Sequence, residues 1–139
     1  MTKPVLLFAV KCAIIVYFAA FSNIQKLGVS TSVSDLVTKG SWRVNCYDNA
    51  QIDKTCIFNG YTFSFDASGK VVASKNGQLF EGNWLEDNIS KKITFSFNNI
   101  NPALTQLNNH WAISNISGNG ITFESNNNQK SEKLYISTY

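Results

Sequence analysis

Residues 61–85 read Tyr-Thr-Phe-Ser-Phe-Asp-Ala-Ser-Gly-Lys-Val-Val-Ala-Ser-Lys-Asn-Gly-Gln-Leu-Phe-Glu-Gly-Asn-Trp-Leu. Tyr61, Phe63 and Phe65 alternate with Thr62, Ser64 and Asp66, the period of a half-buried strand. Ala67-Ser68-Gly69-Lys70 is turn material, and Val71 to Ser74 returns. Lys75-Asn76-Gly77 turns the chain again, because Asn-Gly supplies the positive φ angles of a tight hairpin. Gln78, Phe80, Gly82 and Trp84 then alternate with Leu79, Glu81, Asn83 and Leu85. Three strands joined by two short turns predict an antiparallel meander.

The same period extends both ways. Upstream, Trp42, Val44 and Cys46 alternate with Arg43, Asn45 and Tyr47. Downstream, Ile93, Phe95 and Phe97 form one face, Trp111 and Ile113 another, and Ile121 to Phe123 and Leu134 with Ile136 close the set. Asn98 to Asn109 breaks the rhythm. There Asn101 caps Pro102, and Leu104 and Leu107 share a face, so a short helix is expected between the fifth and sixth strands. Eight strands over residues 41 to 137 suit an antiparallel meander, a sandwich or an up-and-down barrel. No segment offers the long helices of alternating βαβ units.

The N-terminus is different material. Lys3 precedes an apolar run from Pro4 to Phe21, broken only by Lys11, and Ala20-Phe21-Ser22 puts small residues where a signal peptidase cuts. Residues 1–22 are therefore expected to be a secretory signal peptide and the remainder secreted or periplasmic. The alternative is an uncleaved anchor over residues 4–22, in which Lys11 would cost a few kcal/mol near the bilayer centre. Lipidation at Cys12 is disfavoured because Lys11 stands where a small residue belongs. Residues 23–39 read as a linker ending in a short helical turn over Ser34 to Val37, and residues 40–139 as the barrel domain.

Charge changes meaning once the export segment is set aside. The full chain of 139 residues has 12 Lys and Arg, 9 Asp and Glu, and a net charge of +3. Without Lys3 and Lys11 the net is +1, and without Cys12 two cysteines remain. Neither value, nor any clustering of basic residues, suggests a nucleic-acid partner.

Gly40-Ser41-Trp42 and Gly82-Asn83-Trp84 repeat a Gly-x-Trp pattern, echoed by Asn109-His110-Trp111. Glycine lets a neighbouring strand or ring pass close, and tryptophan fills core volume while its N–H caps a carbonyl. Gly-x-Trp opening the first strand resembles the lipocalin-type barrel. The order of these motifs, with Gly60 to Phe65, Gly69-Lys70-Val71, Leu104 to Leu107 and Ile121 to Glu124, looks like small lipocalin-like proteins exported by Bacteroidetes-type bacteria. The resemblance spans residues 36–137. That group is largely uncharacterised, so the resemblance implies a fold more than an activity. It implies an all-β, eight-stranded meander barrel. Its usual lipid-attachment cysteine is not evident here.

An eight-stranded barrel is just wide enough to be filled by side chains or to hold one small ligand. The inward candidates are Trp42, Phe63, Phe65, Phe80, Trp84, Phe95, Phe97, Trp111 and Phe123. Rings of that size weigh toward a filled barrel. A cavity, if present, would suit a small apolar or planar ligand. Two function classes follow: a non-enzymatic binding module for such a ligand, or a solid module that engages an envelope protein. A monomer is expected in either case.

Catalytic chemistry has little material. The chain has one histidine, His110, and no nucleophile elbow, phosphate loop or metal-spaced cluster. Asp48, Asn49 and Asp53 match no calcium loop of the EF-hand type, and Glu81, Glu86 and Asp87 are strand and turn residues. No catalytic residue, metal or cofactor is expected. Cys46 and Cys56 lie ten apart in an exported chain and are expected to pair as a disulfide.

Overall fold

The computed structural model describes residues 31–98, 101–127 and 129–139. Residues 1–22, expected to be a signal peptide, lie outside them. A short helix, α1 (Val33–Val37), precedes the sheet. The strands are β1 (Ser41–Asn49), β2 (Ile52–Asp53), β3 (Thr62–Phe65), β4 (Lys70–Lys75), β5 (Gln78–Asp87), β6 (Lys92–Phe97), β7 (Asn109–Ser117), β8 (Gly120–Asn127) and β9 (Lys130–Thr138). A 3-10 turn, Thr55–Phe58, lies between β2 and β3, and a second helix, α2 (Pro102–Thr105), between β6 and β7.

Each of β3 to β8 pairs antiparallel with the next, and β9 pairs with β1 over Trp42 to Asn49. β1 meets β3 at Ser41–Ser64 and Trp42–Phe63, which completes a closed eight-stranded barrel. All eight expected strands are present, and the expected helix lies between the fifth and sixth of them, with Asn101 capping it and Pro102 in its first turn. Closure removes the open edges that a flat sheet would expose.

β2 is additional. It folds back on β1 through Asp48–Asp53 and Asn49–Ile52. Asp48 to Thr55 looks like loop because its residues favour turns, and two residues are too few to show a period. The turn places Ala50 at φ 52° and Gln51 at φ 67°, the left-handed pair of a two-residue hairpin. Asn76 and Gly77 adopt the same pair of positive angles at the β4–β5 turn, as their sequence predicts.

One strand departs from strict alternation. The β1–β9 register shifts between Val44 and Cys46. Trp42 and Val44 point inward, but past this bulge the inward residue is Tyr47, and Cys46 turns to the outer face. A bulge inserts one residue and thereby reverses the parity of everything beyond it.

The double substitution Ala50→Asn with Gln51→Gly should stabilise the fold by about 1 kcal/mol, since the new pair adopts positive φ with little strain. A urea midpoint that does not rise would count against the strain at this turn.

Candidate functional site

Eight of the nine inward candidates are buried: Trp42, Phe63, Phe65, Trp84, Phe95, Phe97, Trp111 and Phe123. They interlock at edge-to-face and tilted angles. Phe65 meets Trp84 edge-on at 5.9 Å, Phe95 meets Phe123 edge-on at 6.0 Å, and Phe63 meets Phe97 at 6.4 Å. The residual space among Trp42, Phe63, Phe65, Phe95 and their aliphatic neighbours is about 10 Å³. That is at most enough for one water molecule and far too little for a ligand. Phe80 differs. It is half-buried and lines a cleft of about 250 Å³ beside α2, with Leu79, Phe97 and Leu104 and the polar Glu81, Asn98 and Asn101.

Each indole N–H reaches a backbone carbonyl. Trp42 donates to Val37 O at 2.9 Å, Trp84 to Asp66 O at 3.0 Å and Trp111 to Leu107 O at 2.9 Å. The first and third acceptors lie at or just past the C-terminal ends of α1 and α2, where carbonyls lack helical partners. The repeated tryptophan therefore fills the core and pins down the short helices that close the barrel's two mouths. The glycine of the second motif has its own reason. A Cβ on Gly82 would lie 2.7 Å from both Phe97 Cδ1 and the Ser96 carbonyl.

At the first mouth, Val33 and Val37 of α1 are buried in the core. The Glu86 carboxylate anchors this helix by accepting from Val33 N and Ser34 N, each at 2.9 Å, and from the Ser34 hydroxyl at 2.6 Å. A carboxylate at a helix N-terminus satisfies donors that have no helical acceptor. Glu86 thus acts as a cap and not as half of a carboxylate pair. Asp66 and Asp87 likewise order turns: Asp66 accepts from Ser68 N and Lys70 N, Asp87 from Ile89 N and Ser90 N. Glu81 pairs with Lys70 on the surface at 3.0 Å.

The second mouth is closed by the 3-10 turn and α2. Tyr47 meets Phe58 edge-on at 5.4 Å. Asn101 Oδ1 accepts from Ala103 N at 3.0 Å and Leu104 N at 3.2 Å, while its Nδ2 donates to the Tyr61 hydroxyl at 2.7 Å. Beside them sits a polar cluster that strand reading of the sequence missed. Glu132 Oε1 accepts from the Tyr47 hydroxyl and from Asn49 Nδ2, both at 2.9 Å, and Oε2 from Asn109 Nδ2 at 2.8 Å. Burial above all pushes the Tyr47 phenol up to about 12; the Asn49 contact opposes this and the Glu132 carboxylate reinforces it. The available signal was parity: Glu132 shares the inward parity of Leu134 and Ile136.

Two further expectations meet the structure differently. Cys46 and Cys56 are free thiols, so the expected disulfide is not formed. The bulge leaves Cys46 half-buried on the outer face, while Cys56 sits exposed on the 3-10 turn whose Phe58 faces inward. Burial, followed by the Asp48 and Asp53 charges, raises the Cys46 pKa, so the thiol stays protonated. His110 is exposed, with Nδ1 2.8 Å from the Thr94 hydroxyl. Among the described residues, no three His, Cys, Asp or Glu side chains converge on a metal-sized site. No described helix is long and apolar enough to cross a membrane.

No family model matches this chain, and no curated protein does. A solved structure does. The crystal structure of a DUF4847 family protein from Bacteroides vulgatus aligns with a TM-score of 0.59, covering 78% of this chain and 98% of that one at 14% identity. At that identity the likeness speaks to the fold alone.

Gly82→Ala should destabilise the barrel by about 1–3 kcal/mol through overpacking against Phe97, while Gly77→Ala, which meets nothing within 4 Å, reports only the backbone cost of its positive φ. Equal urea midpoints for Gly82→Ala and wild type would remove the steric reason for this glycine. Asp66 accepts hydrogen bonds from Ser68 and Lys70 that lower its pKa below 3.8. Its contribution is therefore complete above the unfolded value and lost as pH falls through the lower folded value. Acid titration of Asp66→Asn should show a smaller stability loss across that window than wild type.

Proposed function

We propose that this chain is an exported, non-enzymatic module whose barrel is a solid scaffold and whose working surface lies on its outside. The observation that carries this reading is the interior, reduced to about 10 Å³ by interlocked aromatic rings. A calyx for an apolar ligand keeps a cavity of several hundred Å³. The carboxylates support a non-enzymatic role, since Glu86, Asp66, Asp87 and Asp53 are engaged with backbone N–H groups.

The export reading rests on residues 1–22, and the periplasm or the medium is the proposed location. The organism of the structural neighbour supports placing the chain with small lipocalin-like proteins exported by Bacteroidetes-type bacteria. The proposed partner is an envelope protein, engaged by a monomer through loops and strand faces. A small-ligand role has one specific support, the cleft beside α2, where Phe80, Leu79, Phe97 and Leu104 meet Glu81, Asn98 and Asn101. A ligand there would be small, apolar and partly exposed to water.

Tryptophan fluorescence titration separates these readings. Wild type should show no saturable change with apolar or planar compounds of ligand size. Phe95→Ala should lose about 3–5 kcal/mol of stability and gain binding of a benzene-sized probe in the space it opens. Saturable, stoichiometric binding by wild type that Phe80→Ala leaves intact would place a ligand in the interior and overturn the solid scaffold.

A further inference from the structure

β5 outruns one of its neighbours. It pairs with β4 from Gln78 to Asn83, but with β6 only from Gly82 onward, because β6 ends at Phe97. Lys75 and Gln78 close a two-residue turn, and such a closing pair exchanges both backbone bonds. Alternation along an antiparallel strand then turns the backbone groups of Leu79 and Glu81 the other way. Trp84 fixes the phase: even-numbered like Gln78, it donates its backbone N–H to Gly69 O, just before β4, at 2.9 Å. Leu79 and Glu81 therefore hold their N–H and C=O groups toward the place where β6 would continue. Among the described residues, no backbone group pairs with them there.

Beside this edge lies the cleft of about 250 Å³ next to α2. Its floor is apolar, since Phe80 is half-buried and Phe97 and Leu104 are buried. Leu79 stands on its rim, 69% exposed. The cleft falls below the roughly 300–1,000 Å³ of a small-molecule pocket and suits a single apolar side chain. Natural sheets blunt a free edge with charge, proline or a bulge. Residues 78–81 contain no proline, and the register of β5 runs without a shift. Their one charge, Glu81, is paired with Lys70 at 3.0 Å.

We infer that this edge accepts an extended segment of the envelope partner as an added strand, in the place where β6 would continue, with one apolar side chain seated in the cleft. The inference rests on the reading of the barrel as a solid scaffold with an outer working surface, and it names that surface. Main-chain bonds to Leu79 and Glu81 would supply affinity, and the cleft would select the side chain at one alternate position. An extended chain is the occupant because it presents C=O and N–H groups in a matching row. A compact apolar ligand would leave those of Leu79 and Glu81 unpaired.

Random peptides of about six residues, the length of an ordinary strand, displayed on phage and selected against the full chain, serve as the probe. Binding should shift the Leu79 and Glu81 amides in NMR spectra and slow their hydrogen exchange. Leu79→Pro removes an N–H that the β4 ladder does not use, so the fold should persist, as edge strands tolerate proline. Peptide binding to it should fall about tenfold or more with the lost backbone bond. Leu79→Ala keeps that N–H and should cost less than about threefold, as rim contacts do. If Leu79→Pro fails to fold, the wild-type amides decide alone. The proposal is overturned if no peptide binds saturably, if binding leaves both amides unchanged, or if the two variants weaken it equally. A dimer of the free chain that Leu79→Pro dissociates would overturn it too, since the occupant would then be a second copy. None of these outcomes touches the filled interior, which fluorescence titration tests separately.

Discussion

The antiparallel ladder from Trp42 to Asn49 against Thr138 to Glu132 joins the first barrel strand to the last, and the rest of the chain answers to the cylinder that this pairing closes. Closure of eight strands sets an interior of nearly fixed width. That interior must be filled or left as a cavity. Here the inward positions carry rings on almost every strand, and Phe65, Trp84, Phe95 and Phe123 interlock in a continuous chain of contacts. Dense packing of this kind makes a rigid body. It also removes the space that an internal ligand would need.

A filled cylinder still has two open ends, and each receives a short helix that would not persist alone. Helices of four or five residues cannot offset their nucleation cost in water. They are held by tertiary contacts: Glu86 and the Trp42 indole at α1, Asn101 and the Trp111 indole at α2. The tryptophans link the two levels, since each contributes a ring to the core and an N–H to the end of the barrel. What stays open lies outside this core: the cleft at Phe80 and the polar mouth around Glu132.

Much of this was legible in the residues. Alternation in Tyr61 to Phe65 and Gln78 to Trp84, the Asn76-Gly77 turn and the Asn101-Pro102 start give strands, hairpin and helix directly, because each signal is local. The inward set was legible for the same reason, as period two names a face. Cys46 was misplaced because parity fails across a bulge, and a bulge depends on how β9 pairs with β1, not on β1 alone. Glu132 was passed over because a polar residue at a strand end looks like a solvent-facing position until its neighbours across the ladder are known.

By itself, then, the sequence determined the eight barrel strands, the turns between most of them, the aromatic inward face and the carbonyl-capping use of tryptophan. Those properties follow from backbone preference and side-chain period, which act over a few residues. Only the tertiary structure decided that the barrel closes on so little empty space, that Tyr47 replaces Cys46 inside, and that Tyr47, Asn49 and Asn109 meet Glu132 at one mouth. Volume, register and the meeting of distant side chains are properties of many residues at once, and no local pattern encodes them.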